Sequence, residues 1–150
     1  MGEEAEIEVS SELSRMDIEM VHAYLASESY WAAGISRARL ERAIAHSLCF
    51  GAFIAGAQVG FARVISDRAT FAHLTDLFVV APARGQGVAT RLVRAALAHP
   101  ELKGMRRWLL ATREAHGLFT QQGFHSVSNP GWFMELVRSE GYLSDPPPRP

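Results

Sequence analysis

Residues 77–90 read LFVVAPARGQGVAT, an apolar run from Leu77 that breaks into the loop Arg84, Gly85, Gln86, Gly87 before Val88, Ala89 and Thr90. Beyond the loop Val88, Leu92, Val93, Ala96 and Leu97 recur at helical spacing, and Pro100 marks the stop. A strand buried on both faces therefore feeds a glycine loop and the first turn of an amphipathic helix. Glycines at that junction let backbone N–H groups come close to a ligand, and the helix start adds unpaired donors and the positive end of its dipole. Such a loop is a cradle for a pyrophosphate. Two glycines can also do no more than make a tight turn, so the surroundings have to decide.

Two nucleotide-binding loops fail on spacing. A Walker loop needs a lysine after its last glycine, and Val88 stands there. A dinucleotide loop needs a third glycine or alanine near Arg91 and a βαβ unit around it. The strands that precede this loop instead predict antiparallel neighbours. Residues 48–54 and 58–66 are β-branched and aromatic about a turn at Ala55, Gly56 and Ala57, and residues 71–80 follow a short link at Asp67 and Arg68. Alternation at Ile7 and Val9 adds a first edge strand. Ser14 and Asp17 have capping-box spacing, which predicts a helix from about Arg15 along Ile18, Val21 and Leu25. Ser36 predicts the cap of a second helix with Leu40, Ala43 and Ile44 inward. After Pro100 the pattern predicts a strand at 108–111 parallel to its predecessor, a short helix at 115–122 stopped by Gly123, and closing strands at 124–127 and 132–137.

The chain has 150 residues, enough for one domain with a real core. We expect a single domain over 1–144 and a proline-rich tail over 145–150. Lys and Arg number 15 against 16 Asp and Glu, so a formal net charge of -1 gives no general pull toward nucleic acid or anionic lipid. The acidic start lacks the features of a signal peptide, and no apolar run approaches bilayer length, so the expected setting is cytoplasmic with no membrane contact. Cys49 has no partner for a disulfide and reads as a buried core thiol. The six histidines are scattered without paired Cys or Glu-x-x-His, which predicts no metal site.

The loop and its surroundings resemble the GNAT superfamily of N-acetyltransferases, whose signature R/Q-x-x-G-x-G/A lies between strand four and helix three. Arg84, Gly87 and Ala89 occupy its places. Leu118, Phe119, Gly123 and Phe124 are similar to that family's L-Y-x-x-x-G-F with phenylalanine in the tyrosine place, and the order of elements matches over most of the chain. The resemblance implies an α/β, mixed-sheet acyl-CoA N-acyltransferase fold. Strands 1–4 would be antiparallel, strands 4 and 5 parallel and splayed, and helices would cover both faces. It implies acetyl-CoA as cosubstrate, with its diphosphate on Arg84, Gly85, Gln86, Gly87, Val88, Ala89 and Thr90. The pantetheine arm would pair with the edge of Leu77, Phe78 and Val79, where a splayed neighbour leaves backbone groups unpaired.

Acetyl transfer to an amine needs the neutral amine, a stabilised oxyanion and a proton for the thiolate. His73 stands where relatives carry a catalytic glutamate or histidine, and its ordinary pKa near 6.5 suits proton removal; a polar residue at a strand entrance is the plain alternative. Asp76 among Leu74, Leu77 and Phe78 is costly unless paired or used, although strict alternation turns it away from His73. His116, one turn before Phe119, is a candidate proton donor or a helix cap. Tyr30 and Trp31 after the first helix are candidate walls of the substrate cleft, or core. Arg63 on an apolar face wants an anion, either Asp67 or a substrate carboxylate, and the latter would make the acceptor an amino acid. The leading expectation is an N-acetyltransferase on a small-molecule amine; the alternatives are a non-catalytic acyl-CoA sensor, or action on a protein N-terminus or lysine. Trp132, Phe133 and Met134 are candidates for a homodimer contact, though a closing strand needs such residues as well.

Overall fold

Apolar residues alternate along the central strands in a way that buries both sheet faces, and helices cover each of them. The computed structural model describes residues 6–138 and 141–142. The proline-rich stretch 145–150 and the first residues of the acidic start lie outside the described residues. The order is β1 (Ile7–Ser10), α1 (Ile18–Ser27), α2 (Arg37–Ala45), β2 (Leu48–Ile54), β3 (Ala57–Ser66), β4 (Phe71–Val79), α3 (Val88–Ala98), β5 (Arg107–Leu109) and α4 (His116–Thr120). The sheet runs β1-β2-β3-β4-β5, antiparallel except for the parallel pair β4 and β5. That is the mixed α/β architecture the resemblance implied.

Each face has its own core. Phe50, Val64 and Leu74 meet Val88, Leu92 and Val93 of α3 on one side, whereas Phe61 and Phe78 meet Val21 and Leu25 of α1 and Leu40 and Ile44 of α2 on the other. Helix α3 sits close on β3 because Gly60 has no side chain. A Cβ there would lie 3.0 Å from Leu92 Cδ1 and 3.1 Å from Val88 Cγ1. Ser36 caps α2 as expected, its hydroxyl accepting from the Arg39 amide at 3.1 Å.

Three expectations are corrected. The first helix starts at Ile18 rather than near Arg15, since Asp17 is its cap and accepts from the Met20 amide at 3.1 Å; Leu13–Arg15 is only a single 3-10 turn. Asp17 directly precedes the first turn, so its carboxylate reaches a free amide there, whereas Ser14 lies within the 3-10 turn. The strand after α3 covers 107–109 in place of 108–111. No strand forms at 124–127 or 132–137, and Pro130–Trp132 is a 3-10 turn. Strand propensity is a fit to a pleated, half-buried surface, and among the described residues the second of these segments stays largely exposed. Among the described residues no helix is long and apolar enough to cross a membrane.

Candidate functional site

The loop after β4 is built on two left-handed glycines. Gly85 has φ 79° and Gly87 has φ 84°, conformations that cost an ordinary residue about 1–2 kcal/mol. Gly87 is also the N-cap of α3, and no side chain caps that helix. Its first amides are therefore free to take an anion. They border a small cavity of about 140 Å³ lined by Val79, Arg84, Gly85, Gly87 and the first turn of α3. Gln86 is exposed on the loop's outer side and does not line it. The Arg84 guanidinium turns back on the protein, donating to the Val79 carbonyl at 2.9 Å and to the Tyr24 hydroxyl at 2.8 Å. Tyr24 in turn stacks on Phe78 with ring centroids 4.0 Å apart. Arg84 thus holds the loop against α1 and β4.

Strand β4 reaches this loop with one side open. It pairs with β5 only at Phe71, Ala72 and His73. From Leu74 through Leu77, Phe78 and Val79 its edge toward β5 has no strand partner, so backbone groups other than the Val79 carbonyl, which Arg84 occupies, are available to an extended ligand.

Between the paired and the open part of β4 lies a bulge. The register with β3 shifts between Phe61 and Arg63, so Asp76 and Leu77 share the space opposite Ala62. Asp76 takes φ 55°, in the left-handed region that aspartate tolerates better than most residues. The extra residue reverses the alternation. His73 and Asp76, which strict alternation would set on opposite faces, come to lie on the same face of the sheet, beside Arg63.

The buried Asp76 carboxylate is fully occupied. Oδ2 accepts from Arg63 Nε at 2.7 Å and Oδ1 accepts from Trp31 Nε1 at 2.9 Å. Arg63 also donates from Nη1 to the Ser47 hydroxyl at 3.1 Å. Of the two partners expected for Arg63, Asp67 is corrected here to Asp76. Asp67 instead closes its own turn, where bonds from Thr70, first its hydroxyl, and from the Ala69 amide hold its carboxyl well below the usual range. Only a three-dimensional bulge brings Asp76 to Arg63, which sequence spacing does not reveal.

His73 is half-buried, and burial first, then the Arg63 charge, lowers its pKa from the usual 6.5, while Asp76 acts in the opposite sense. The imidazole is therefore neutral near pH 7 and able to accept a proton. Trp31, anchored on Asp76, has Tyr30 edge-on at 5.0 Å, and Arg113 lies 4.3 Å over the Tyr30 ring. Both aromatics stay partly exposed and wall the region that the Asp76 brace supports.

Sequence reasoning missed Tyr24, Ser47 and Arg113. Tyr24 follows Val21 at helical spacing and so carried a weak signal; Ser47 and Arg113 carried none, because their roles depend on residues distant in the chain. His116 is the exposed first residue of α4, makes no capping bond, and lines a large groove beside β5. Phe119 is buried in the α3-side core and packs edge-on against Phe124 at 5.8 Å. Among the described residues no group of three or more His, Cys, Asp or Glu is arranged to hold a metal.

Residues 18–124 match the model of the acetyltransferase (GNAT) family. A crystal structure from Xanthomonas campestris pv. campestris, provisionally described as an acetyltransferase belonging to that family, is 47% identical. The match covers 91% of this chain and 96% of that one with a TM-score of 0.88. A relative from Gibberella zeae, provisionally named an acetyltransferase, is 26% identical over 133 residues, 74% of each chain. An N-acetylglutamate synthase of Neisseria gonorrhoeae, solved with coenzyme A and N-acetyl-glutamate, is similar in fold. It is 22% identical with a TM-score of 0.68, covering 85% of this chain and 30% of that one.

Proposed function

Because the chain belongs to the GNAT acetyltransferase family, we propose that it moves an acetyl group from acetyl-coenzyme A to the amine of a small molecule. The observation that carries this reading is the open edge of β4 running directly into an uncapped helix start behind two left-handed glycines. Acetyl-coenzyme A would supply an activated thioester acyl group. The α3 amides and Gly87 would hold its diphosphate, and Leu77, Phe78 and Val79 would offer backbone groups to its amide-rich arm.

The acceptor sets how much help the protein must give. An amine with pKa near 10.4 needs about 4.6 kcal/mol to be neutral at pH 7, while an α-amino group near 7.8 needs about 1 kcal/mol. His73, held neutral, is the group we assign to take that proton, directly or through water. Asp76 has both oxygens engaged and braces the site instead. Arg63 spends two nitrogens on Asp76 and Ser47, so an amino-acid acceptor loses the residue on which that expectation leaned. An uncharged or aromatic-compatible amine between Trp31 and His73 fits the remaining wall better. A departing thiolate with thiol pKa near 8.5 takes its proton from solvent or from the exposed His116, since Phe119 has no hydroxyl.

Calorimetry with acetyl-coenzyme A, followed by thiol release with amines, amino acids and peptides, tests the proposal. Binding with amine-dependent release supports it, and absence of binding by folded protein overturns it. Binding without release for any acceptor would favour the sensor reading, which the buried Phe119 motivates.

A further inference from the structure

The loop after β5, residues 110–115, reaches the loop between α1 and α2 through Arg113, whose guanidinium lies 4.3 Å from the centre of the Tyr30 ring. That ring is held from behind. The buried Ser29 hydroxyl donates to the Leu25 carbonyl at 2.6 Å and accepts from the Ala32 amide at 3.1 Å, and the Gly34 amide donates to the Ala26 carbonyl at 2.9 Å. Tyr30 sits edge-on to Trp31, and Trp31 is bonded to Asp76 on the face that carries His73. The Arg113 cation is thus set on a platform fixed to the reacting side of β4. It also follows the carboxyl end of β5, the parallel partner of β4, and ligands of open α/β sheets collect outside the carboxyl ends of the strands.

A ring engages the flat face of a guanidinium and leaves the N–H groups of its edge pointing outward in the plane. Arg113 is exposed, and among the described residues no carboxylate pairs with it, its neighbour Glu114 included. The other arginines of the site are occupied: Arg63 by Asp76 and Ser47, Arg84 by the Val79 carbonyl and Tyr24. We propose that Arg113 takes an anionic group of the acceptor, which is an aromatic amine bearing a carboxylate at the end remote from its nitrogen. The inference rests on the acetyl-transfer reading above and names the acceptor class within it. The amine stands at His73, the flat body lies along Trp31 and Tyr30, and the carboxylate accepts from the guanidinium edge. An anion of the coenzyme fits this place less well. The Tyr30 loop packs through Ala32 and Ile35 into the core opposite α3, whereas the uncapped amides suited to the diphosphate belong to α3 itself.

Calorimetry on the full chain loaded with coenzyme A tests this, with para-aminomethylbenzoate and its neutral twin para-aminomethylbenzamide as probes. The carboxylate should bind about tenfold more tightly, as expected of one charge-assisted hydrogen-bonded contact. Arg113→Gln should bring the two to parity by weakening the carboxylate alone, and Arg113→Lys, which keeps the charge, should retain part of the preference. In turnover the preference should appear in KM with kcat little changed, because the contact is remote from the reacting nitrogen. Affinity for coenzyme A relative to dephospho-coenzyme A should be the same in Arg113→Gln as in the parent; a fall for coenzyme A alone assigns the cation to its phosphate and overturns the proposal. Equal binding of the two amines, binding of neither, or a preference that survives Arg113→Gln also overturns it. A binding preference without thiol release keeps the inference and removes the acetyl-transfer reading, while release that uses both amines equally does the reverse.

Discussion

Two positions along the path of β4 adopt left-handed backbone and use it in opposite ways. At the loop, Gly85 and Gly87 have φ 79° and 84°, and no side chain stands between the amides and a ligand. At the bulge, Asp76 has φ 55°, and its side chain ties β4 to Arg63 of β3 and to Trp31 of the loop after α1. The same conformation leaves the backbone bare at the loop and carries a carboxylate that braces two elements at the bulge.

Removing the brace should have the largest effect. Asp76→Ala leaves Arg63 with its buried partner gone, and we expect a loss of about 3–5 kcal/mol in denaturant melts. The glycine loop is untouched, so the folded fraction should bind acetyl-coenzyme A as before. A loss below about 1 kcal/mol would mean that the ion pair behaves like a surface pair, and the contrast between the two positions would fail.

The imidazole beside the brace comes next. His73→Ala should lower kcat/KM about a hundredfold, the lower range for a lost general base. Since its pKa is depressed, the acid limb of the parent's pH profile should fall below pH 6.5 and be absent in the variant. The sign for stability follows. The unfolded imidazole takes a proton near 6.5 before the folded one does, so this contribution is complete above that pH. It is lost as pH falls through the lower folded value. A parent limb at or above 6.5 would remove His73 from the role proposed for it.

The bare position is tested by adding a methyl group. A Cβ at Gly87 meets nothing within 4 Å, so Gly87→Ala adds only backbone strain and a methyl facing the ligand. We expect about 1 kcal/mol of lost stability and acetyl-coenzyme A binding weaker by about tenfold. Unchanged binding would show that the loop's glycines serve the turn alone.

The smallest effect reports on the brace from behind. Burial pushes the Cys49 thiol up to about 12, with Arg63 acting downward and Asp76 upward. Native protein should resist alkylation, and folded Asp76→Ala, which keeps Arg63 but loses the opposing charge, should react severalfold faster. Equal rates would mean that Arg63 swings away when its partner is removed.

The loop, α3 and the hairpin of β2 and β3 were legible in the sequence because each rests on neighbours: glycine freedom, a 3.6-residue period, a β-branched and aromatic composition with a turn between. The two ends of the chain were less so. Asp17 displaced Ser14 as the cap of α1 by a contact that spacing leaves open. Residues 132–137 have strand composition and form no strand, although β5 has an unpaired edge in the same sheet, because composition favours a strand without fixing a ladder partner.

By itself the sequence determined the order of the elements as far as α4, the glycine junction after β4 and, through them, the family. Only the tertiary structure decided that His73 and Asp76 share a face, that Arg63 belongs to Asp76 rather than to Asp67, and that the edge of β5 stays open. The reason is one of range. Periodicity and backbone freedom are properties of adjacent residues, whereas a bulge reverses a strand's faces and a buried charge chooses its partner through residues that meet only after folding.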